Sequence, residues 1–280
     1  MRRFAMAIVL FPGSIAATAQ QFLGTTPSSF PGPDLLTRSF TYGPEAGQVV
    51  DFGRPAGLAK APLIVQINDA GWVNGANVSF AWLNSLLIGK GYAYASVATR
   101  TKGDTRLAER VADAVAGIAR LVADAEARQI DASRITLVAK GSGATIAALI
   151  ATDPDLLTSA GVNFGVIRGV YLLGPSGLEL SPTVRPARSP DFIFGDPVTR
   201  AKLSPSAHVA LPNAPAFLIQ VDDHDAVGGR TARAYANSLS AAGTRVEVQA
   251  VPQMIRSATT LGVIDNAATR GLLAFLAGLD

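Results

Sequence analysis

ITLVAKGSGATIAAL, residues Ile135 to Leu149, changes its pattern at the centre. Ile135 to Ala139 is a run of apolar and β-branched residues without a charge, as expected of a strand buried on both faces. Gly141-Ser142-Gly143 follows. Glycine reaches positive φ without a Cβ clash, so the chain can reverse tightly there. From Ala144 onward small and apolar residues suit a helix packed close against its neighbours. The stretch therefore reads as strand, sharp turn, helix.

The same alternation extends outward in both directions. Pro62 to Asn68, Tyr92 to Val97, Val166 to Leu173, Ala216 to Val221 and Arg245 to Val251 read as further strands, and Gln48 to Phe52 as an early edge strand. Between them lie helical patterns. Phe80, Leu83 and Leu87 share a face, with Gly91 as a stop. Leu107, Val111, Val115, Ile118 and Val122 mark a long amphipathic helix that Asp104 is placed to cap. Tyr235 and Leu239 face inward on a later helix, and Leu272, Phe275, Leu276 and Leu279 form the stripe of a closing one. Apolar strands alternating with helices imply a mostly parallel sheet with helices on both faces. Residues 181–205 are proline-rich and read as a small cap or long loop.

The chain has 280 residues, of which 49% are hydrophobic and 16% charged, which suits one α/β domain over residues 41–280. No internal repeat is visible. Residues 20–40, rich in Gly, Pro, Ser and Thr, read as an irregular N-terminal arm. Residues 1–19 read as a signal peptide, with a basic Arg2-Arg3, an apolar run from Phe4 to Leu10 and an Ala17-Thr18-Ala19 cleavage site. Export to the periplasm or the medium is expected, with Gln20 first in the mature chain. The apolar run is too short to span a bilayer, so no stable membrane insertion is expected after cleavage. The formal charge of +3 would fall to +1, since the segment carries Arg2 and Arg3 and no acid. With no dense basic patch, nucleic acid is not expected as a partner. There is no cysteine, so thiolate and disulfide chemistry are excluded.

Four segments, in order, resemble the α/β-hydrolase superfamily, and within it the small carboxylesterases related to lipases and feruloyl esterases. Ile67-Asn68-Asp69-Ala70-Gly71-Trp72 is similar to the family's I-H-G-G-G-W oxyanion loop. Gly91-Tyr92 with Ser96-Val97-Ala98-Thr99-Arg100 resembles its G-Y-x-x-x-x-S-V-x-Y-R strand. Ile135 to Leu149 resembles the nucleophile elbow, whose frame is G-x-S-x-G. Phe217-Leu218-Ile219 leading into Asp225-Ala226-Val227 resembles the strand and turn that carry the acid. The resemblance implies an α/β-hydrolase fold and catalytic positions at Gly141, Asp225 and Arg256. The last follows from matching Pro252-Gln253-Met254-Ile255-Arg256 to the turn that bears the family's histidine.

Those positions lack the atoms that acyl transfer needs. The frame reads Ala139-Lys140-Gly141-Ser142-Gly143, so a glycine stands where the nucleophilic serine belongs. A serine at the apex is activated by an imidazole base, itself oriented by an acid. Arginine stays protonated at physiological pH and cannot be that base. No histidine lies beyond His224. Asp69 brings a carboxylate into the oxyanion loop, where negative charge opposes a developing oxyanion.

Other assignments stand beside this one. Ser142 is one residue past the apex, and one helical residue rotates a side chain by about 100°. Its hydroxyl is then expected to turn from the cleft mouth while its N–H keeps the oxyanion-donor position. As a displaced nucleophile it would need His224 as its base; otherwise the two are a helix-start serine and a loop histidine. His208 reads as structural or exposed. Asp222-Asp223-His224-Asp225 could ligate a metal, but no second ligand-bearing segment is evident, so no metal and no cofactor is expected. Asp225 and Arg256 are expected to pair, as a structural bridge or with guanidinium donors left for an anion. Asn68, Asp69, Ala70, Gly71, Trp72 and Ser142 are the candidate ligand-binding residues.

The functional expectation is an exported pseudo-hydrolase, binding a small molecule in the old acyl pocket or a protein at its surface. An active carboxylic-ester hydrolase with a site rearranged around Ser142 and His224 is the first alternative. An envelope scaffold that binds no ligand is the second.

Overall fold

Uncharged, mostly apolar runs at residues 63–67, 93–97, 135–139 and 169–173 build the centre of the sheet. In the computed structural model, which describes residues 35–68, 71–72, 81–101, 105–181, 191–210, 212–252 and 266–279, the order of elements is β1 (Leu35–Thr41), β2 (Val49–Pro55), β3 (Ala61–Ile67), α1 (Ala81–Gly89), β4 (Ala93–Val97), α2 (Leu107–Ala123), α3 (Ala125–Arg128), β5 (Ile130–Lys140), α4 (Gly141–Ile150), α5 (Pro154–Thr158), β6 (Ile167–Leu173), α6 (Pro197–Lys202), β7 (Ala216–Asp222), α7 (Ala226–Ala241), β8 (Arg245–Val251) and α8 (Ala267–Ala277). The described residues fall within one compact unit, Pro33–Asp280.

The eight strands form one sheet in the order β1-β2-β4-β3-β5-β6-β7-β8. β1–β2 and β2–β4 are antiparallel, and every pair from β4–β3 to β7–β8 is parallel. Alternation along the strands divides the core into two layers. Leu63, Val65, Ile67, Leu137 and Ala139 join the stripe of α2 (Leu107, Val111, Ile118, Leu121) and the apolar face of α4. Ile64, Val138, Tyr94, Tyr171 and Leu218 point the other way and meet Leu83 and Leu87 of α1 and Leu272 and Leu276 of α8. Each leucine, isoleucine or valine among them, fully buried, contributes about 1.5–3 kcal/mol.

Several expectations need correction. The arm does not stay irregular to residue 40, because Leu35–Thr41 forms β1 and pairs along β2. Gln48–Phe52 is consequently not an edge; β2 is flanked on both sides and runs to Pro55. β5 begins at Ile130, ahead of a register shift against β3. The N-cap of α2 is Arg106, whose backbone N–H donates to the Glu109 carboxylate at 2.8 Å; Asp104 lies outside the described residues. In the proline-rich excursion, residues 191–207 are built of short helical turns around α6. Residues 1–34, with the expected signal segment, lie outside the described residues. Among the described residues, no helix is long and apolar enough to cross a membrane.

Candidate active site

Parallel pairing brings the loops after β3, β5, β6 and β7 to one edge of the sheet, where ligands bind in open α/β folds. Gly141 follows β5 directly. Lys140 is still extended, with φ −127° and ψ 153°, and Gly141 turns to φ +55° as the first residue of α4. That positive φ makes the expected sharp turn an observed one. Gly143 is required for a different reason. A Cβ there would lie 2.7 Å from the Ile67 carbonyl oxygen and 2.9 Å from that of Asn68, so only glycine lets α4 approach the end of β3.

The neighbouring loops are tied to this turn. The Ser176 N–H donates to the Gly141 carbonyl at 3.1 Å, and the Thr145 hydroxyl donates back to the Ser176 carbonyl. Trp72 Nε1 donates to Ser176 Oγ at 2.8 Å, and its ring packs on Phe194 with centroids 4.9 Å apart. Trp72 is therefore built into the core beside the cleft. Gly71 has φ +65°, and its carbonyl accepts a 2.8 Å hydrogen bond from Arg110 Nη1 on α2. Asn68 is buried, and its Oδ1 accepts from Gln66 Nε2 at 2.7 Å and Ser96 Oγ at 2.8 Å. Its carbonyl-oxygen end is thus spent inside the sheet. Asp69 and Ala70 lie outside the described residues.

Ser142 is buried in the first turn of α4. His224 is not brought to it. The His224 side chain is 81% exposed, and its Nδ1 lies 2.5 Å from an Asp223 carboxylate oxygen and 3.5 Å from one of Asp222. Asp222, Asp223 and His224 offer ligand atoms within 4.8 Å of one another. They are consecutive and largely solvated, and among the described residues no other segment adds a ligand. Asp225 caps α7, accepting the Gly228 N–H at 2.8 Å, and is exposed. Its expected pairing with Arg256 falls on a residue outside the described ones. His208 has a structural setting, with Nε2 2.8 Å from the Lys202 carbonyl and Nδ1 3.6 Å from Asp153.

Three supporting groups were not singled out from the sequence. Ser176, Arg110 and Asp113 hold the frame, the first from the loop after β6 and the others from α2. Arg110, three residues after Leu107, falls beside the α2 stripe, whereas Asp113, two residues after Val111, lies about 200° around the helix from it and is buried away from the stripe. Asp113 accepts from Arg100 N at 2.8 Å, Arg100 Nε at 3.0 Å and Nη2 at 2.9 Å, and from Gln48 Nε2 at 2.7 Å. That hydrogen-bonded carboxylate holds the Arg100 pKa above its usual value. Beside it, burial and then the Asp113 charge raise that of Tyr42, whose hydroxyl donates to the Ala98 carbonyl at 2.5 Å.

The fold is shared with known esterases. The BD-FAE family model, an esterase-like α/β-hydrolase, matches residues 51–163. No curated protein matches the chain. Esterase B from Lactobacillus rhamnosis, in a form inhibited by a C4-C4 sn-3 tributyrin phosphonate, is 19% identical with a TM-score of 0.73, over 94% of this chain and 91% of that one. Thermogutta terrifontis esterase 2 phosphonylated by cyclosarin is 20% identical with a TM-score of 0.70, over 91% and 97%. At such identity the neighbours establish the fold. The chain has the α/β-hydrolase fold.

Proposed function

We propose that this protein is an exported pseudo-hydrolase that keeps the esterase frame without the acyl-transfer chemistry, and that binds a small ligand or a protein partner. The observation that carries the reading is Gly141, at φ +55° on the apex between β5 and α4. A glycine offers no atom to attack a carbonyl. The absence of any histidine after residue 224 and the arginine at position 256 support it from the sequence. The well-tied loop frame around Trp72, Ser176 and Gly141 supports a retained cleft.

Four measurements test the proposal. The purified protein is expected to remain unlabelled by a fluorophosphonate probe and to leave short-chain p-nitrophenyl esters intact, while carboxylates or sugars shift its melting temperature. Stoichiometric labelling, mapped to Ser142 or another serine, would overturn the pseudo-hydrolase reading. Export is tested by the mass of the mature protein from fractionated cells. Cleavage after Ala19 is expected, and an intact Met1 or Arg2 rules it out.

A further inference from the structure

The edge of the sheet opposite the elbow holds a cavity of about 720 Å³, lined by Lys60, Lys90, Arg134 and Arg168 with Tyr92 and Leu279. The cations come from four separate segments. Lys60 precedes β3, Lys90 follows α1, Arg134 lies in β5 and Arg168 in β6. Parallel register brings them together. Tyr92 and Arg134 each directly precede a residue, Ala93 or Ile135, that pairs with Leu63. Arg168 follows Ile167, the partner of Ile135.

Among the described residues, no carboxylate lines this cavity. Arg134 shares its Nε with Asp131 at 2.7 Å, and among the described residues Lys60, Lys90 and Arg168 form no ion pair. Some cations elsewhere are paired, Arg100 with Asp113 and Arg120 and Arg128 with Asp124. Like charges around one concavity repel, and a cleft of one sign concentrates counter-ions. The volume lies within the range of small-molecule sites, roughly 300–1,000 Å³. We propose that this cavity binds a soluble organic anion bearing two or more phosphate or sulfate groups, with its charges on the four cations and its carbon skeleton against Tyr92 and Leu279. The proposal stands apart from the reading of the elbow edge and does not depend on it.

The test uses the full chain and 1,3,6,8-pyrenetetrasulfonate, followed by fluorescence anisotropy at low salt with pyrophosphate as competitor. Expected are saturable binding, displacement by pyrophosphate, and weakening with added salt. Arg168→Glu, and separately Lys60→Glu with Lys90→Glu, should weaken binding at least tenfold. These side chains are exposed, so the melting temperature should hold. Arg230→Glu, the same charge change on the exposed surface of α7, should leave affinity within about twofold, since screening limits the reach of one distant charge. Absence of saturable binding, unchanged binding in Arg168→Glu, or an equal loss in Arg230→Glu would overturn the proposal. So would co-sedimentation with phosphatidylglycerol vesicles in the absence of any binding to the soluble probe.

Discussion

Replacing Asp113 with alanine is expected to lower the unfolding free energy by about 3 kcal/mol, the lower end of the range for breaking a buried ion pair. The carboxylate is almost wholly buried on α2 and is shared by the Arg100 side chain and backbone and the Gln48 amide. Its removal leaves a guanidinium and an amide facing an apolar void. The Arg100 side chain keeps 28% exposure, so water offsets part of the loss. Asp113→Asn retains shape and one acceptor, and should cost less. Urea denaturation measures both, and a double-mutant cycle with Arg100→Met isolates the coupling. A shift below about 0.5 kcal/mol in Asp113→Ala, the size of an ordinary surface substitution, would show that the pair contributes no more than a solvated contact.

The same helix shows which parts of the molecule the sequence makes legible. Leu107, Val111, Val115 and Ile118 read as one apolar face, and that face is buried on the sheet. Arg110 lies beside it and Asp113 off it, both buried, and an apolar pattern has no slot for a buried arginine or aspartate. Their hydrogen-bond partners, Gly71 and Arg100, come from elsewhere in the chain. Central strands were legible because both faces are covered, leaving no alternation to misread. β1 was not: Leu35-Leu36-Thr37-Arg38-Ser39-Phe40-Thr41 mixes polar residues throughout, and its pairing with β2 is supplied by the fold.

The site divides along the same line. The turn at Gly141 was readable because strand, glycine and helix are contiguous. Asp225 was placed correctly after β7, but its local task as the cap of α7 depends on the Gly228 N–H. Gln66 and Gln220, both fully buried, belong to two polar groups, the first with Tyr94 and the second with Tyr171 and Gln249, that no motif announces. Ser176 falls in the same class. Nothing near it in sequence indicates that it joins Trp72 to the elbow.

Gly141→Ser is expected to destabilise the fold by about 1–2 kcal/mol, the cost of holding an L-residue in the left-handed region. Gly141 sits at φ +55°, and the turn cannot relax without moving α4, which is packed against the Ile67 and Asn68 carbonyls through Gly143. Gly141→Ala should cost a similar amount, because the strain comes from Cβ and not from the hydroxyl. An elbow with serine at its apex stores this strain for the sake of its nucleophile; with glycine the turn survives and the strain does not. Restoring the hydroxyl should not restore hydrolysis. Losing the base alone in a serine triad costs on the order of 10⁶ in kcat, about as much as losing the nucleophile. Gly141→Ser with Arg256→His is therefore the variant in which a trace of p-nitrophenyl ester turnover is expected. Denaturation midpoints of the two single variants, and initial rates of the double one, decide the matter. Unchanged midpoints in both Gly141→Ser and Gly141→Ala would mean that the turn accepts a Cβ freely, and the view of this apex as an esterase elbow relieved of its strain would fail.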